Sequence, residues 1–194
     1  MGLKMTSNTF ELSPEKALWL LSPRLTVLVT TMSKGGKVNA APFSFVGPIS
    51  IEPPLCYVSV GKANKDTEAF ARETKQFVIN LVSETFAQQA INCEAKLPRG
   101  TNELEVFGLH MRPSKKVAVP SVKEAPATVE CELTEVIDPK DSDHLLLIGR
   151  VVAGTCMYLR EQAKPDLDAM KLIMHVAKEH FRKVGERVDY KRNK

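Results

Sequence analysis

The sequence predicts a mainly β fold with flanking helices, and three observations carry that prediction. Runs dense in β-branched and aromatic residues recur at 24–32, 55–61, 77–82, 127–138 and 144–158. Turn formers separate them: Ser33-Lys34-Gly35-Gly36, Gly47-Pro48 and Asp141-Ser142-Asp143. Helix-start signals sit mainly toward the two ends, at Ser13-Pro14 and Lys164-Pro165-Asp166, with short helical stretches between strands.

Taken in order, Ser13 caps a short helix over 13–22 with Pro14 at its first position. Ala17, Leu18 and Leu21 form its apolar stripe, and Trp19 joins the core or a dimer contact. Pro23 ends it. Residues 24–32 read as a strand, and 37–45 return as its hairpin partner. Pro42 inside the returning strand implies an edge or a bulge. Gly47-Pro48 turns the chain, and Glu52-Pro53-Pro54 imposes an extended entry into the strand 55–61. There Leu55, Tyr57 and Ser59 share one face, and Cys56, Val58 and Val60 the other.

Asn64 then caps a helix with Asp66 in its first turn and Phe70 as an apolar contact. In 77–82 Asn80 is the odd polar residue on its face, either a satisfied core amide or a ligand contact. Residues 84–92 read as a short helix, 97–110 as irregular, and 117–120 as extended. The runs 127–138 and 144–158 make a long hairpin that extends the sheet and lies across a dimer interface. Leu167, Met170, Met174, Ala177 and Phe181 recur at three- and four-residue steps, which predicts a C-terminal helix. The reading is one domain over 1–194, with a helical lead at 13–22 and a C-terminal helix and tail at 165–194.

Composition narrows the function. At 43% hydrophobic and 26% charged residues the chain is of ordinary globular make-up, long enough to bury a core. A net charge of +4 favours anionic ligands without being a nucleic-acid signature. The four cysteines, Cys56, Cys93, Cys131 and Cys156, form no CxxC motif and read as reduced, mostly buried thiols of a cytoplasmic protein. No apolar run has the length of a membrane span, and the start lacks a signal-peptide core. His175 and His180 stand five apart, off the one-face spacing of a helical metal pair, so no metal is expected. There is no Walker loop, nucleophile elbow or dinucleotide-binding glycine motif.

Two stretches carry chemistry. Ser59-Val60-Gly61-Lys62 leads through Asn64 into Lys65-Asp66-Thr67, where free N–H groups, two lysines and two hydroxyls suit a phosphate. The same features also fit an ordinary capped helix with solvated lysines. Asn39-Ala40-Ala41-Pro42-Phe43-Ser44 has small side chains that let a flat ring approach the backbone, with Asn39 and Ser44 as polar contacts. It also fits a bulged edge strand with a small-residue seam.

Taken in order, Thr30-Thr31, the Gly turn, 39–44, Ile51-Glu52-Pro53-Pro54-Leu55, Lys65-Asp66-Thr67 and Phe77-Val78-Ile79-Asn80 resemble the flavin reductase-like, FMN-binding split-barrel family. This family includes flavoredoxin-like proteins and small reductase components of two-component monooxygenases. The resemblance covers residues 23–158, and Val184-Gly185-Glu186 through Tyr190 is similar to the family's Gly-Gly-to-Tyr ending. It departs at Asn102-Glu103-Leu104, where the family often has a basic–aromatic pair after Arg-Gly.

The resemblance implies a split β-barrel, bound FMN and a homodimer. It implies an FMN site drawn from Thr30, Thr31, Asn39, Ala40, Ala41, Pro42, Phe43, Ser44, Ser59, Val60, Gly61, Lys62, Asn64, Lys65, Asp66, Thr67 and Asn80. No catalytic side chain is expected, because the flavin carries the chemistry. The implied activity is an NAD(P)H-dependent flavin reductase, with NAD(P)H bound transiently and electrons passed to an acceptor or partner oxygenase. The alternatives are an FMN-binding electron carrier reduced by a protein partner, and a barrel whose phosphate cradle holds another ligand. Lys65 and Thr67 read as exposed helix-start residues, so alanine at either should weaken FMN binding without unfolding the chain.

Overall fold

The structure, a computed structural model, describes residues 5–6, 9–63 and 65–190. Its elements in chain order are β1 (Met5–Thr6), β2 (Thr9–Phe10), α1 (Pro14–Ala17), β3 (Arg24–Leu25), β4 (Val27–Met32), β5 (Val38–Phe43), β6 (Val46–Ser50) and β7 (Leu55–Gly61). Then follow α2 (Lys65–Thr74), β8 (Gln76–Leu81), α3 (Ala87–Asn92), α4 (Glu103–Val106), β9 (Met111–Arg112) and β10 (Ser121–Val122). The chain closes with β11 (Ala127–Ile137), β12 (His144–Cys156), α5 (Leu167–Met170), β13 (Ile173–Ala177) and β14 (His180–Lys183).

One seven-stranded sheet dominates, in the order β5-β4-β8-β11-β12-β7-β6, with every pair antiparallel. Alternation along each strand separates two apolar clusters. On β4, Val27 and Val29 join Val58, Val60, Phe77, Cys131 and Leu147 in one cluster. Leu28 faces the other way, into a cluster closed by α3, α4 and the segment before β11: Val82, Phe86, Ala90, Leu104 and Val122. The first cluster is tight enough to require glycine at 149: a Cβ there would stand 2.9 Å from Cys131 Cβ and equally near Phe77 Cε1. Over that glycine the Cys56 and Cys131 sulfurs meet at 3.5 Å.

The mainly β architecture and the long β11–β12 hairpin match expectation, and so does the strand-then-helix of β7 and α2. Pro42 lies on β5, one edge of the sheet. Gly47-Pro48 differs from expectation. It is not a turn but part of β6, the opposite edge, where a residue without an N–H interrupts no ladder on its outer side.

The C-terminal helix over 165–181 is a correction. Asp166 caps α5 through its carboxylate to the Ala169 N–H, but Lys171 takes a left-handed φ of 50° and stops the helix after Met170. Ile173 to Lys183 then form the hairpin β13–β14, and β13 adds Met174 and His175 to Leu25 and Arg24 of β3. The lead helix also differs: α1 runs only to Ala17, a 3₁₀ turn covers Leu18–Leu21, and none of these residues is buried. Among the described residues no helix is long and apolar enough to cross a membrane.

Candidate functional site

α2 forms where the sequence supplies acids in its first turn and an i,i+4 pair, Arg72 Nε donating to Glu68 Oε1 at 2.8 Å. It ends at Lys75, whose φ is 59°. Thr67, Phe70 and Ala71 are its buried face, and the helix packs on β4 and β5. This brings the start of α2 against the small-residue strand. Asn39 Nδ2 donates to Thr67 Oγ1 at 3.0 Å and to Thr31 Oγ1 at 3.4 Å, so one amide braces β4, β5 and α2 together. Thr67 is fully buried, which corrects the expectation of an exposed helix-start side chain. Asn64 and the Lys65 side chain lie outside the described residues.

Asn80 and Thr30 are also buried, and both are engaged by protein. Asn80 Nδ2 donates to Leu28 O at 2.9 Å, and its Oδ1 accepts from Val122 N at 2.8 Å. Thr30 donates to Pro120 O at 2.7 Å. Of the two readings open for Asn80, the structure places it as a satisfied core amide tying β8 and β4 to β10.

The irregular 97–110 segment is latched to this corner by two carboxylates. Glu103 Oε2 accepts from Ala40 N at 2.8 Å, satisfying an outward N–H of the edge strand. Pro42, two residues on, shares that outward register and has no N–H to satisfy. Asp66 accepts from Gly100 N at 3.2 Å and pairs with Arg99 Nε at 2.9 Å. Gly100 has a φ of +77°, and a Cβ there would lie 2.9 Å from Lys37 Cδ, so loop and hairpin meet through glycine. Burial pushes the Glu103 carboxyl up from its ordinary range, opposed by the Ala40 N–H. Burial, then the nearby Glu103, pushes the Cys93 thiol up to about 12.

The third part of the site is the far end of β7. Ser59 N donates to Phe45 O at 2.8 Å, which brings β7 beside Ser44. Ser59 and Val60 are buried, while Gly61 is partly open, with only the His144 ring within 4 Å of a built Cβ. Lys62 is exposed and pairs with Asp138 at 2.8 Å. The His144 ring stands 5.7 Å from Phe45 and bonds Asp143 at 2.7 Å. Ser44 Oγ lies 3.0 Å from His175 Nδ1, while His175 Nε2 faces Lys178 O at 3.1 Å. The carbonyl needs a proton from Nε2, so Nδ1 accepts and Ser44 donates to it. The lone pairs of Ser44 remain for a ligand.

The predicted residues therefore fall into two tiers. Thr30, Thr31, Asn39, Ala40, Ala41, Ser59, Val60, Thr67 and Asn80 form a buried scaffold. Pro42, Phe43, Ser44, Gly61, Lys62 and Asp66 form the accessible rim. Sequence reasoning missed Glu103, Arg99, His144, His175 and Arg24, which the fold brings to the same rim. The Arg-Gly at 99–100 was a signal, but nothing local tied it to Asp66. Among the described residues no cluster of three or more His, Cys, Asp or Glu is placed to hold a metal.

Residues 21–184 match the family described as flavin reductase like domain. The uncharacterized protein YwrF of Bacillus subtilis is 36% identical over 193 residues, covering 91% of this chain and 93% of its own. The nitrilotriacetate monooxygenase component B of Bacillus cereus superposes with a TM-score of 0.84 at 31% identity, over 98% of this chain and 99% of that one. The flavoredoxin of Desulfovibrio vulgaris shares the fold, with a TM-score of 0.79 at 21% identity over 97% of each chain. The curled sheet is thus the split barrel that the sequence implied, and this chain belongs to the flavin reductase-like domain family.

Proposed function

We propose that this protein is an FMN-binding oxidoreductase that takes electrons from NAD(P)H and hands them to an acceptor or a partner oxygenase. One observation supports this above the others. In a chain matched to the family over 21–184, a side-chain amide joins the small-residue edge strand to the start of a ten-residue helix. That junction fits what a phosphorylated flat ring needs: the N–H groups of a helix start at one end, and a strand of small side chains at the other.

FMN, when bound, supplies the hydride and electron chemistry. The chain's residues hold and orient it. The first turn of α2 would receive the phosphate, with Lys62 and Lys65 supplying positive charge. The small side chains of β5 would let the ring approach at the rim formed by Pro42, Phe43 and Ser44, where Ser44, which donates to His175, would accept from a donor on the ligand. Thr31, Asn39, Thr67 and Asn80 fix the walls from behind. NAD(P)H would bind only transiently at the flavin, since the sequence has no dinucleotide-binding glycine motif to hold it elsewhere. The similarity to a monooxygenase component B supports a partner oxygenase. Exposed Leu20, Leu21, Ile49 and Ile51 support a homodimer.

The deciding measurement is the flavin absorbance of protein mixed with FMN under anaerobic conditions. Addition of NADH or NADPH is expected to bleach it. Absorbance that persists with both donors overturns the reductase reading. If a reduced protein partner then bleaches it, the chain is an electron carrier.

A further inference from the structure

Among the described residues Arg24 is a cation without a counter-ion. Its Nη1 donates to Ser22 Oγ at 2.6 Å, and its Nη2 donates to Val176 O at 3.1 Å and approaches His175 Nδ1 at 3.4 Å. Its Cζ lies 5.0 Å from the centre of the Phe45 ring. None of these partners is a carboxylate, and among the described residues none lies within ion-pair distance of Arg24. Its Nε is buried with no acceptor at all. Buried donors in native proteins are nearly always satisfied, so an orphan on an unneutralised guanidinium needs an explanation.

Arg24 lines a cleft of about 220 Å³ with Leu18, Trp19, Phe45 and residues 175–178. That is less than the roughly 300–1,000 Å³ of a drug-sized site, and suits one ring. Two aromatic side chains and a leucine supply flat apolar walls, and the cation sits among them. Glu15 and Lys178 also line the cleft. The Glu15 carboxylate is held by the Ser13 hydroxyl, which keeps it below the ordinary carboxylate range. The larger hollow, about 510 Å³ over Val176 and His180 to Lys183, has one aromatic ring and no orphan donor.

We propose that this cleft binds a small aromatic carboxylate, with its ring between Trp19 and Phe45 and its carboxylate on Arg24. Arg presents a planar fork that matches a carboxylate, and a ligand carboxylate supplies the counter-ion that Arg24 lacks among the described residues. Phe45 follows Ser44, and its carbonyl accepts from Ser59 N, so the cleft adjoins the rim assigned to the flavin ring. On the flavin reading, which this placement alone rests on, the cleft is a subsite for an aromatic acid beside the flavin ring.

Trp19 is the only tryptophan in the chain, so its fluorescence reports the cleft directly. Titration of the purified full-length protein with benzoate is expected to change that fluorescence saturably. Benzyl alcohol, which has the ring without the charge, and acetate, which has the charge without the ring, are each expected to bind at least about tenfold more weakly. Arg24→Gln should lose about tenfold or more in benzoate affinity. Glu15→Gln, an exposed change that leaves the fold intact, should tighten it by removing the carboxylate at the wall. No saturable change with benzoate overturns the proposal, and so does equal affinity for benzyl alcohol. A preparation that takes up no FMN while Trp19 still reports benzoate sinks the flavin reading and leaves the cleft assignment standing.

Discussion

Thr67 shows how a residue can be identified correctly and still be misplaced. Its position after Lys65-Asp66 marks a helix start, and the sequence alone puts such a hydroxyl at the surface. In the fold it is fully buried and accepts from Asn39, a partner 28 residues away. Neither residue reveals the other locally, because the contact exists only once α2 lies on β5. The consequence is measurable. Thr67→Ala removes an acceptor from a buried amide and should cost about 1–2 kcal/mol in urea unfolding, as well as weakening FMN binding. Thr67→Ser, which keeps the hydroxyl, should retain most of both. An alanine variant of unchanged stability would mean that Asn39 does not brace the helix. His175 had a similar fate: spacing argued it out of a helical metal pair, yet the fold uses it to orient Ser44.

Among elements, the strands were legible because their signal is local. Alternation and β-branching mark β4, β7, β8, β11 and β12 without reference to anything else. The C-terminal segment was not legible, because its apolar steps suited a helix, whereas the left-handed Lys171 ends α5 and β13 pairs both with β14 and with β3, some 150 residues back. The 97–110 segment was read as irregular, but it carries the short helix α4, and it is held in place by Glu103 on Ala40 and Asp66 on Gly100. Burial raises the Glu103 carboxyl above its unfolded value. A group so raised binds its proton more tightly when folded. Its contribution is therefore complete below the unfolded pKa and is lost as pH rises through the folded one. Wild-type protein should lose urea resistance across the pH window just above the ordinary glutamate range. Glu103→Gln, which cannot ionise, should lose less over that window. Parallel pH profiles for the two proteins would show that this latch does not titrate.

At the scale of the whole molecule, the barrel buries its strands well but leaves large apolar side chains outside. Ile51 is 93% exposed and Leu20 72%, with Leu21 and Ile49 also open. Scattered apolar atoms are normal at a surface, but aliphatic side chains this exposed are costly in water. A second copy is the simplest cover, since closed two-fold dimers are the commonest assembly of soluble chains. The expected sedimentation mass is therefore twice the 21.5 kDa of the chain. Leu20→Lys combined with Ile51→Lys places two charges where the apolar contact would form, and should shift the protein to monomer at micromolar concentration. Neither residue belongs to the buried scaffold around Asn39, so the monomer should keep its fold and its urea midpoint should fall only by what association contributed. A lysine variant that sediments as wild type would place the subunit contact elsewhere, and a wild-type protein that sediments as a monomer would remove the dimer altogether.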